Sequence, residues 1–373
     1  MNDLGSLVQQ TADRLAGQHV GAVVAGLAGG AVEIRGAGRA GTTGADPAGD
    51  VPGPHTLFEI GSVTKVFTSL VLARLVLAGS TALDEPLASV LADARPDGAA
   101  VPAKGGTPIT LRHLATHTSG LPRLPAGMLL PALLRPNKPD PYRHCTRDVL
   151  LAGLARTRLR TTPGRGFRYS NLGAGLLGLA LAHRSGLGYE ELIAREVCAP
   201  LGLTDTVVAV DGERSARLAR GHTPGGRPVP AWYLADLVGA GGLHSTVSDL
   251  AVLIRAQLAS GPDDDSPLAP AIALTREVRH RVNPFAWAHL GWLGHRLHQR
   301  QGGHLQIWHN GGTGGFRSFV AFDPVKQVGV VALTNSRRSV DPAGVALLRS
   351  LQNGQDGAGP AGGTRAVRPP ATP

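Results

Sequence analysis

A serine and a lysine three residues apart form the first pair that could do chemistry. The sequence FEIGSVTK at residues 58–65 places Ser62 and Lys65 on one face of a helix, because residues three apart are neighbours on a helix surface. Since Ser62 would open this helix, its hydroxyl would lie at the positive end of the helix dipole, near unpaired N–H groups. A serine hydroxyl becomes a good nucleophile when a neighbouring base takes its proton, and burial favours the neutral lysine that could do so.

The same residues are compatible with a helix cap followed by a solvated lysine, and Ser-x-x-Lys taken alone favours that simpler interpretation. Two observations favour chemistry instead. The lysines of this chain are only Lys65, Lys104, Lys138 and Lys326, so a chance pairing is less expected. Lys65 also lies in an otherwise apolar helix, where an idle charge would be costly.

A second element, FRYSN at residues 167–171, stands at the start of another apolar helix. An N-cap with a packed tyrosine would explain it. Tyr169, however, is one of four tyrosines, and a phenol near a lysine could carry a proton between nucleophile and leaving group. Asn171 offers both a donor and an acceptor to a substrate amide or ester.

A third element, WHNGGTGGF at residues 308–316, joins two runs with strand character. A hairpin turn explains one or two of its glycines. It explains less well the glycines that begin at Gly311, still on the incoming strand. Glycines at that position let a substrate backbone approach closely, as in strand addition.

The elements that must hold these residues alternate in type along the chain. An amphipathic helix with Leu4, Val8 and Leu15 comes first, and a hairpin with Gly29-Gly30 at its turn follows. Strand signals return late. The strands are predicted at residues 56–60, 306–309, 316–323 and 328–334, and the helices of the middle and end at residues 111–116, 147–156, 172–184, 189–197 and 342–351.

β-rich ends around a helical middle predict an α+β fold. Its first and last strands form one antiparallel sheet flanked by the terminal helices, with an inserted all-helical domain. We assign residues 1–82 and 228–352 to the discontinuous α/β domain and residues 83–227 to the helical domain. The Gly/Pro/Ala-rich residues 353–373 are expected to be a flexible tail.

Together, SVTK at 62–65, YSN at 169–171 and HNG at 309–311 resemble, in order and rough spacing, the motifs of the class C β-lactamase family. That family is related to D,D-peptidases, D-aminopeptidases, family VIII carboxylesterases and lovastatin-type acyltransferases. The segments TLRHLATHTSGLP at 110–122 and GGLHSTVSDL at 241–250 are also similar to it. The resemblance extends from about Val20 to Leu351.

The resemblance implies a β-lactamase/transpeptidase-like fold and a covalent acyl-enzyme on Ser62, with Lys65 and Tyr169 as proton carriers. It further implies an oxyanion hole from the backbone N–H groups of Ser62 and Gly312. Asn171, His309 and Gly311 would contact the substrate. It does not settle which of Lys65 and Tyr169 is the base in each step, and it implies neither a cofactor nor a metal.

The third motif departs from the Lys-Thr-Gly that such β-lactamases usually have. A neutral imidazole at His309 attracts a substrate carboxylate much less than an ammonium does. We therefore expect an ester, a D-amino-acid amide or an acyl-transfer substrate more than a β-lactam. Alternatively, His309 acts on the chemistry itself, by steering the proton on Tyr169.

Composition restricts the partners. The formal net charge is +10, but the basic residues are scattered, mostly arginine, and not interleaved with aromatics, so we expect a solvated basic surface without nucleic-acid binding.

The cysteines and histidines do not indicate a disulfide framework or a metal site. Cys145 and Cys198 are too few for a disulfide framework, and we expect two free thiols, although a bridge between them remains open. His113 and His117 lack the glutamate of a zinc-protease motif and are expected to be structural. The N-terminus lacks an apolar signal-peptide core and no segment could span a membrane, so we expect a cytoplasmic protein.

The sequence therefore predicts a serine hydrolase or transacylase acting on a small acyl substrate through Ser62, Lys65 and Tyr169. The alternative is a slow penicillin-binding or sensing protein that is acylated but turns over poorly. A non-enzymatic scaffold on the same fold is disfavoured, because all three chemical elements are present. The oligomeric state is left open.

Overall fold

The computed structural model describes residues 3–42, 50–94, 100–125, 140–259 and 264–357. The strands are β1 (Gly21–Ala28), β2 (Ala31–Gly38), β3 (Leu57–Glu59), β4 (His244–Thr246), β5 (Arg279–Asn283), β6 (Ala286–His289), β7 (Leu293–Arg296), β8 (Leu305–Gly312), β9 (Arg317–Asp323) and β10 (Val328–Thr334). The α-helices are α1 (Leu4–Ala16), α2 (Thr64–Leu77), α3 (Leu87–Val90), α4 (Leu111–Ala115), α5 (Arg147–Ala155), α6 (Asn171–Ser185), α7 (Tyr189–Ile193), α8 (Ala199–Leu201), α9 (Gly212–Arg217), α10 (Val247–Ala259), α11 (Ala269–Glu277) and α12 (Asp341–Gly357).

Eight of these strands form one antiparallel sheet in the order β2-β1-β10-β9-β8-β7-β6-β5. The predicted hairpin is confirmed: Ala28 pairs with Ala31, and Gly29 and Gly30 turn the chain with φ of 56° and 83°. A left-handed pair of residues of this kind favours glycine. Because β1 pairs with β10 in register from Ala22 with Thr334, the two β-rich ends of the chain meet in one antiparallel sheet, as predicted.

Both faces of the central strands are covered. Every residue of β10 is buried, which suits its unbroken apolar sequence. Val328 and Val330 pack with α1 and α12, whereas Val331 and Leu333 join the larger core on the opposite face. This alternation follows from the two-residue period of a strand.

The helix α2 runs through the larger core, with Val66, Phe67, Leu70 and Val71 each at most 1% exposed. Nearly every face of it is buried, as its apolar sequence predicted. A 3-10 turn, Gly61–Val63, precedes it, so Ser62 lies in this turn just before the α-helix begins. Strand β3 leads into the turn and pairs with β4, Glu59 opposite His244.

Sequence patterning missed β5, β6 and β7, which extend the sheet beyond β8. The outer strand β5 is mostly exposed and rich in arginine and histidine, so it lacks the apolar alternation that marks a strand. Charged side chains on an edge strand also oppose pairing with other chains.

Between residues 83 and 227, the described part of the chain holds helices and isolated β-bridges but no strand. Leu150 and Leu177 from this region join the same buried cluster as Val23 and Val320 from the sheet. The middle therefore shares one core with the sheet, and the proposed domain boundaries remain a prediction.

The C-terminal helix α12 continues to Gly357, five residues into the segment expected to be a tail. Buried Leu347, Leu348, Leu351 and Gln352 anchor this helix to the sheet, which lets its last turn form despite the glycines. Residues 358–373 lie outside the described part of the chain. Among the described residues, no helix has the length and apolar character needed to cross a membrane.

We predict that Leu70→Ala destabilises the protein by about 2–5 kcal/mol, because it leaves a cavity in the middle of the larger core. The matched control is Leu77→Ala at the end of the same helix, where the side chain is 53% exposed. We expect that change to cost less than about 0.5 kcal/mol. Urea unfolding of both variants measures the difference, and equal losses would contradict the placement of α2.

Candidate active site

The 3-10 turn Gly61–Val63 and the first turn of α2, which follows it, bring Ser62 and Lys65 into contact. The Nζ of Lys65 lies 2.9 Å from the Oγ of Ser62 and also donates a hydrogen bond to the carbonyl of Ala240. Lys65 is 2% exposed, whereas Ser62 is partly exposed and lines a cavity. The amine therefore approaches the hydroxyl from inside the protein and leaves its cavity side open to a substrate.

Burial makes this amine a plausible base. The pKa of Lys65 lies well below the usual lysine value, chiefly because burial disfavours the ammonium and secondly because of the positive charge on Arg123. A neutral amine beside a hydroxyl can accept its proton. No carboxylate is hydrogen-bonded to this amine among the described residues, so nothing there pins it in its charged form.

Tyr169 lies on the other side of the same serine, immediately before α6. Its hydroxyl is hydrogen-bonded to Ser62, and the Nζ of Lys65 lies 5.1 Å from the centre of its ring. Burial raises the pKa of the phenol to about 12, so at neutral pH Tyr169 holds its proton and can donate it. Ser170 caps α6 by accepting a hydrogen bond from the backbone N–H of Gly173, which fixes where Tyr169 leaves the helix.

Strand β8 approaches the Gly61–Val63 turn with no side chain between the two backbones. A Cβ added at Gly311 would lie 2.1 Å from the carbonyl oxygen of Ile60 and 2.9 Å from the backbone nitrogen of Ser62. A Cβ added at Gly61 would lie 2.6 Å from the backbone nitrogen of Gly312. The two peptide nitrogens expected to form an oxyanion hole, those of Ser62 and Gly312, are thus brought to the same place.

His309 is buried and does not itself line the cavity, and its contact with a substrate remains a prediction. It is 1% exposed, and its Nδ1 is 2.7 Å from the carbonyl of Asn310. Burial lowers its pKa to about 3, with the charge of Lys65 as the second cause, so the ring is neutral at physiological pH. Its ring centre is 6.2 Å from that of Tyr169. The imidazole therefore lies near Tyr169, behind the cavity wall.

The remaining predicted residues face a cavity of about 500 Å³. Ser62, Tyr169, Asn171, Gly311 and Gly312 line it, while Lys65 and His309 lie behind its wall. The buried side-chain oxygen of Asn171 has no hydrogen-bond partner among the described residues, so it is available to a donor on a substrate.

Sequence reasoning missed the arginines of this cavity. Arg123, Arg317 and Arg337 all line it, and Asp341 is the one carboxylate among its lining residues. The Asp341 carboxylate already accepts a hydrogen bond from the Asn310 amide. Arginines are so frequent in this chain that no sequence signal singled these out, although Arg123 directly follows the family-like segment 110–122.

The segment at residues 121–142 contributes Arg123 and Tyr142 to the cavity lining. Residues 126–139 of this segment lie outside the described residues. The guanidinium of Arg123 lies over the Tyr169 ring, 5.4 Å from its centre. This end of the segment therefore contacts the site directly.

Of the two histidines expected to be structural, His113 caps a helix and His117 lies beside Tyr169. His113 completes a capping box with Thr110 at the start of α4. His117 is buried, its ring centre is 4.4 Å from that of Tyr169, and its Nδ1 accepts a hydrogen bond from the backbone N–H of Ser170. The backbone carbonyl of His117 accepts a second hydrogen bond, from the backbone N–H of Arg168, so the residues on both sides of Tyr169 are hydrogen-bonded to His117. His117 positions Tyr169.

Comparison with known proteins gives consistent results. The Beta-lactamase family model matches residues 6–353. The D-alanyl-D-alanine-carboxypeptidase/endopeptidase AmpH of Escherichia coli K12 is 32% identical over 300 residues, which span 76% of this chain and 72% of that protein.

Solved structures agree. A beta-lactamase/D-alanine carboxypeptidase from Pseudomonas syringae superposes with a TM-score of 0.76 at 22% identity, covering 93% of this chain and 98% of that one. One from Yersinia pestis gives 0.75 at 26% identity, covering 92% and 98%. The predicted fold, β-lactamase/transpeptidase-like with an antiparallel sheet flanked by helices, is confirmed.

The contact between β8 and the Gly61–Val63 turn predicts unequal effects at two adjacent glycines. In Gly311→Ala the new methyl group meets backbone atoms that cannot move aside, so we expect a loss of at least about 100-fold in kcat/KM on an activated ester. In Gly312→Ala it meets first the guanidinium of Arg317, a movable side-chain end, so we expect a smaller loss. Equal activities of the two variants would contradict the described contact.

Proposed function

Because the chain belongs to the beta-lactamase family and is a serine hydrolase, we propose that it forms an acyl-enzyme on Ser62, with Lys65 and Tyr169 carrying the proton. The observation that carries this proposal is the buried amine of Lys65, 2.9 Å from the Ser62 hydroxyl and with a pKa well below its usual value. A buried lysine in contact with a serine has little structural use and a clear chemical one.

In the proposed acylation, the neutral amine of Lys65 takes the proton of Ser62 while Oγ attacks the substrate carbonyl carbon. The new bond is Oγ–C, and the carbonyl π electrons move to the oxygen. Collapse of this intermediate breaks the bond to the leaving group, which takes a proton from Tyr169. Tyr169 recovers its proton from the Lys65 ammonium. Water then repeats the sequence in place of the serine and releases the acid.

The developing oxyanion would be held by the backbone N–H groups of Ser62 and Gly312. Support comes from the two glycines, Gly61 and Gly311, that allow these backbones to touch. Fixed N–H donors are effective here because they need no reorganisation when the charge appears. His309 then acts through Tyr169, as a neutral ring behind it, and not by direct contact with the substrate.

We further propose that the substrate is an ester or amide that carries a carboxylate. The sequence alone favoured neutral substrates, since His309 replaces a lysine, but the cavity has three arginines against one engaged carboxylate. Arg337 is exposed, and its guanidinium has no hydrogen bond or ion pair with any other described residue. The AmpH relative is named a D-alanyl-D-alanine carboxypeptidase, and a peptide ending in D-alanine carries such a carboxylate.

Lys65→Arg tests the base. Because arginine stays protonated, we expect this variant to lose acylation by about 10²–10⁴-fold, and Ser62→Ala to abolish labelling by a fluorophosphonate. The control Lys104→Arg changes a lysine that donates to the carbonyls of Leu159 and Arg160, away from the cavity, and should behave as wild type. Mass spectrometry locates the label, and an acyl group on another residue or an active Lys65→Arg would refute the mechanism.

The rate at which the acyl group is released from Ser62 distinguishes a hydrolase from a penicillin-binding protein that turns over slowly.

Arg337→Gln tests the substrate class. The substrates are an acyl-D-alanyl-D-lactate with a free carboxylate and its methyl ester, which differ only in that charge. A charge-assisted hydrogen bond contributes about 1.5–3 kcal/mol, so KM for the acid should rise about tenfold or more while KM for the methyl ester stays nearly constant. Arg338→Gln, an exposed neighbour that does not line the cavity, is the control. Equal changes for acid and methyl ester would exclude this role.

A further inference from the structure

Three successive backbone N–H groups, beginning at the cavity-lining residue Trp232, are held by two carboxyl groups. The N–H of Trp232 donates to Oε1 of Glu59 at 3.1 Å, and those of Tyr233 and Leu234 donate to Oδ2 of Asp140 at 2.9 and 3.3 Å. Leu234 has a φ of 60°, a left-handed conformation that is unfavourable for leucine. The two carboxyl groups therefore stabilise a wall segment that would not adopt this shape by itself.

Glu59 connects this wall to the other side of the cavity. Trp232 lines the cavity and packs its ring edge-on against Tyr142, with centres 5.3 Å apart. On its other side the Glu59 carboxyl faces the side chain of Thr313, which lowers the pKa of this carboxyl. The Oε2 of Glu59 and the Thr313 hydroxyl are both buried, and neither makes a hydrogen bond of good geometry with a described residue. Thr313 directly follows Gly312, whose N–H we assign to the oxyanion hole. One carboxyl group thus lies between a substrate-facing tryptophan and the turn that presents a catalytic N–H.

We propose that Glu59 is a positioning residue for acylation, which holds the Trp232 wall against the Thr313 turn in its neutral form and slows the reaction when it ionises. The inference rests on the proposed function, because it concerns the same acyl-enzyme site. Glu59 is three residues from the nucleophile, is 2% exposed and does not itself line the cavity, whereas Trp232 and Thr313 do.

The surroundings of Glu59 favour its neutral form at physiological pH. Burial raises its pKa to about 8, the side chain of Thr313 and the backbone N–H of Trp232 oppose this rise, and the charge of Asp140 adds to it. Because Oε2 has no hydrogen bond of good geometry with a described residue, little offsets the cost of a charge on this carboxyl.

The other titratable groups nearby do not neutralise it. His244, opposite Glu59 on β4, has its pKa lowered to about 4 by burial and is neutral. Arg317, at the end of the Thr313 turn, instead donates to the carbonyls of Thr313 and Phe316. Above about pH 8 a negative charge therefore appears beside the turn that carries the Gly312 N–H, where it opposes the developing oxyanion.

The test compares wild type with Glu59→Gln, which keeps the shape and the hydrogen-bonding capacity but cannot ionise. The control is Glu190→Gln, since the Glu190 carboxyl also accepts backbone N–H groups, from Val208 and Ala209, but does not line the cavity. The measured quantity is kcat/KM for a neutral p-nitrophenyl ester between pH 6 and 9.5, corrected for spontaneous hydrolysis.

We expect kcat/KM of the wild type and of Glu190→Gln to fall by about tenfold above pH 8, a drop of the size that one nearby charge can cause. The fall should be absent in Glu59→Gln. If Glu59→Gln keeps the same alkaline fall, or lowers the rate equally at every pH, the inference is wrong. A proportional loss at all pH values is what a merely structural role would give.

If Glu59→Gln is poorly active, the pH dependence of its stability to urea tests the ionisation of Glu59 instead. A pKa raised in the folded state means that stability is lost as pH rises from the unfolded value, 4.5, through the folded value of about 8. The urea midpoint of the wild type should therefore fall relative to that of Glu59→Gln between pH 5 and 9, and a constant difference would refute the ionisation. Labelling of Ser62 is read separately, so a failure here is distinguishable from a failure of the acyl-enzyme.

Discussion

The backbone contact between strand β8 and the Gly61–Val63 turn is the constraint on which the rest of the site depends. Gly61 has a φ of 49°, and at Gly311 even a methyl group would overlap the carbonyl of Ile60. The Ser318 hydroxyl donates to that same carbonyl at 2.7 Å, so β9 fixes the contact from its far side. Gly61, Gly311 and Ser318 thereby set the distance between the nucleophile Ser62 and strand β8. The positions of the other groups of the site depend on this distance.

Burial then determines the protonation states around this contact. Lys65, His117 and His309 are all buried bases, and desolvation is the largest cause of the lowered pKa of each. Lys65 also contributes to the lowered pKa of both histidines, so these bases disfavour one another's cations. A cluster of neutral bases costs less than a cluster of cations would, and it leaves the amine of Lys65 free to accept a proton.

The residues proposed for the chemistry could be found from the sequence because they lie in short segments. Ser62 and Lys65 are separated by about one helical turn, and the glycines after His309 indicate a backbone that another group approaches closely.

Contacts between residues far apart in the chain could not be predicted in this way. Glu59 and Trp232 are 173 residues apart, and nothing in their local sequence indicates that one accepts a hydrogen bond from the other. His309 lies on the strand predicted for it, but its burial could not be predicted, because sequence gives a residue's position along the strand and not its depth.

The outer strands of the sheet show the same limit. β5 lies at the edge and is largely solvated, so no apolar alternation marked it as a strand. β10, covered on both faces, was found with its exact ends. An apolar pattern in the sequence reflects which side chains are buried. It therefore identifies a strand only where at least one face of the strand is buried and carries apolar side chains.

The positions of the cavity arginines explain why they escaped prediction. Lys65 lies on α2, Gly311 and Gly312 end β8, and Tyr169 is held by the cap of α6 and by His117, so the reacting groups are held by regular elements. Two of the cavity arginines, Arg123 and Arg337, lie outside helices and strands. A loop can exchange its side chains without moving the sheet or the helix, because few buried contacts depend on it. A chain of this fold can therefore lose a cation from the third motif and regain positive charge from loops, so the charge of a substrate has to be inferred from the whole cavity wall.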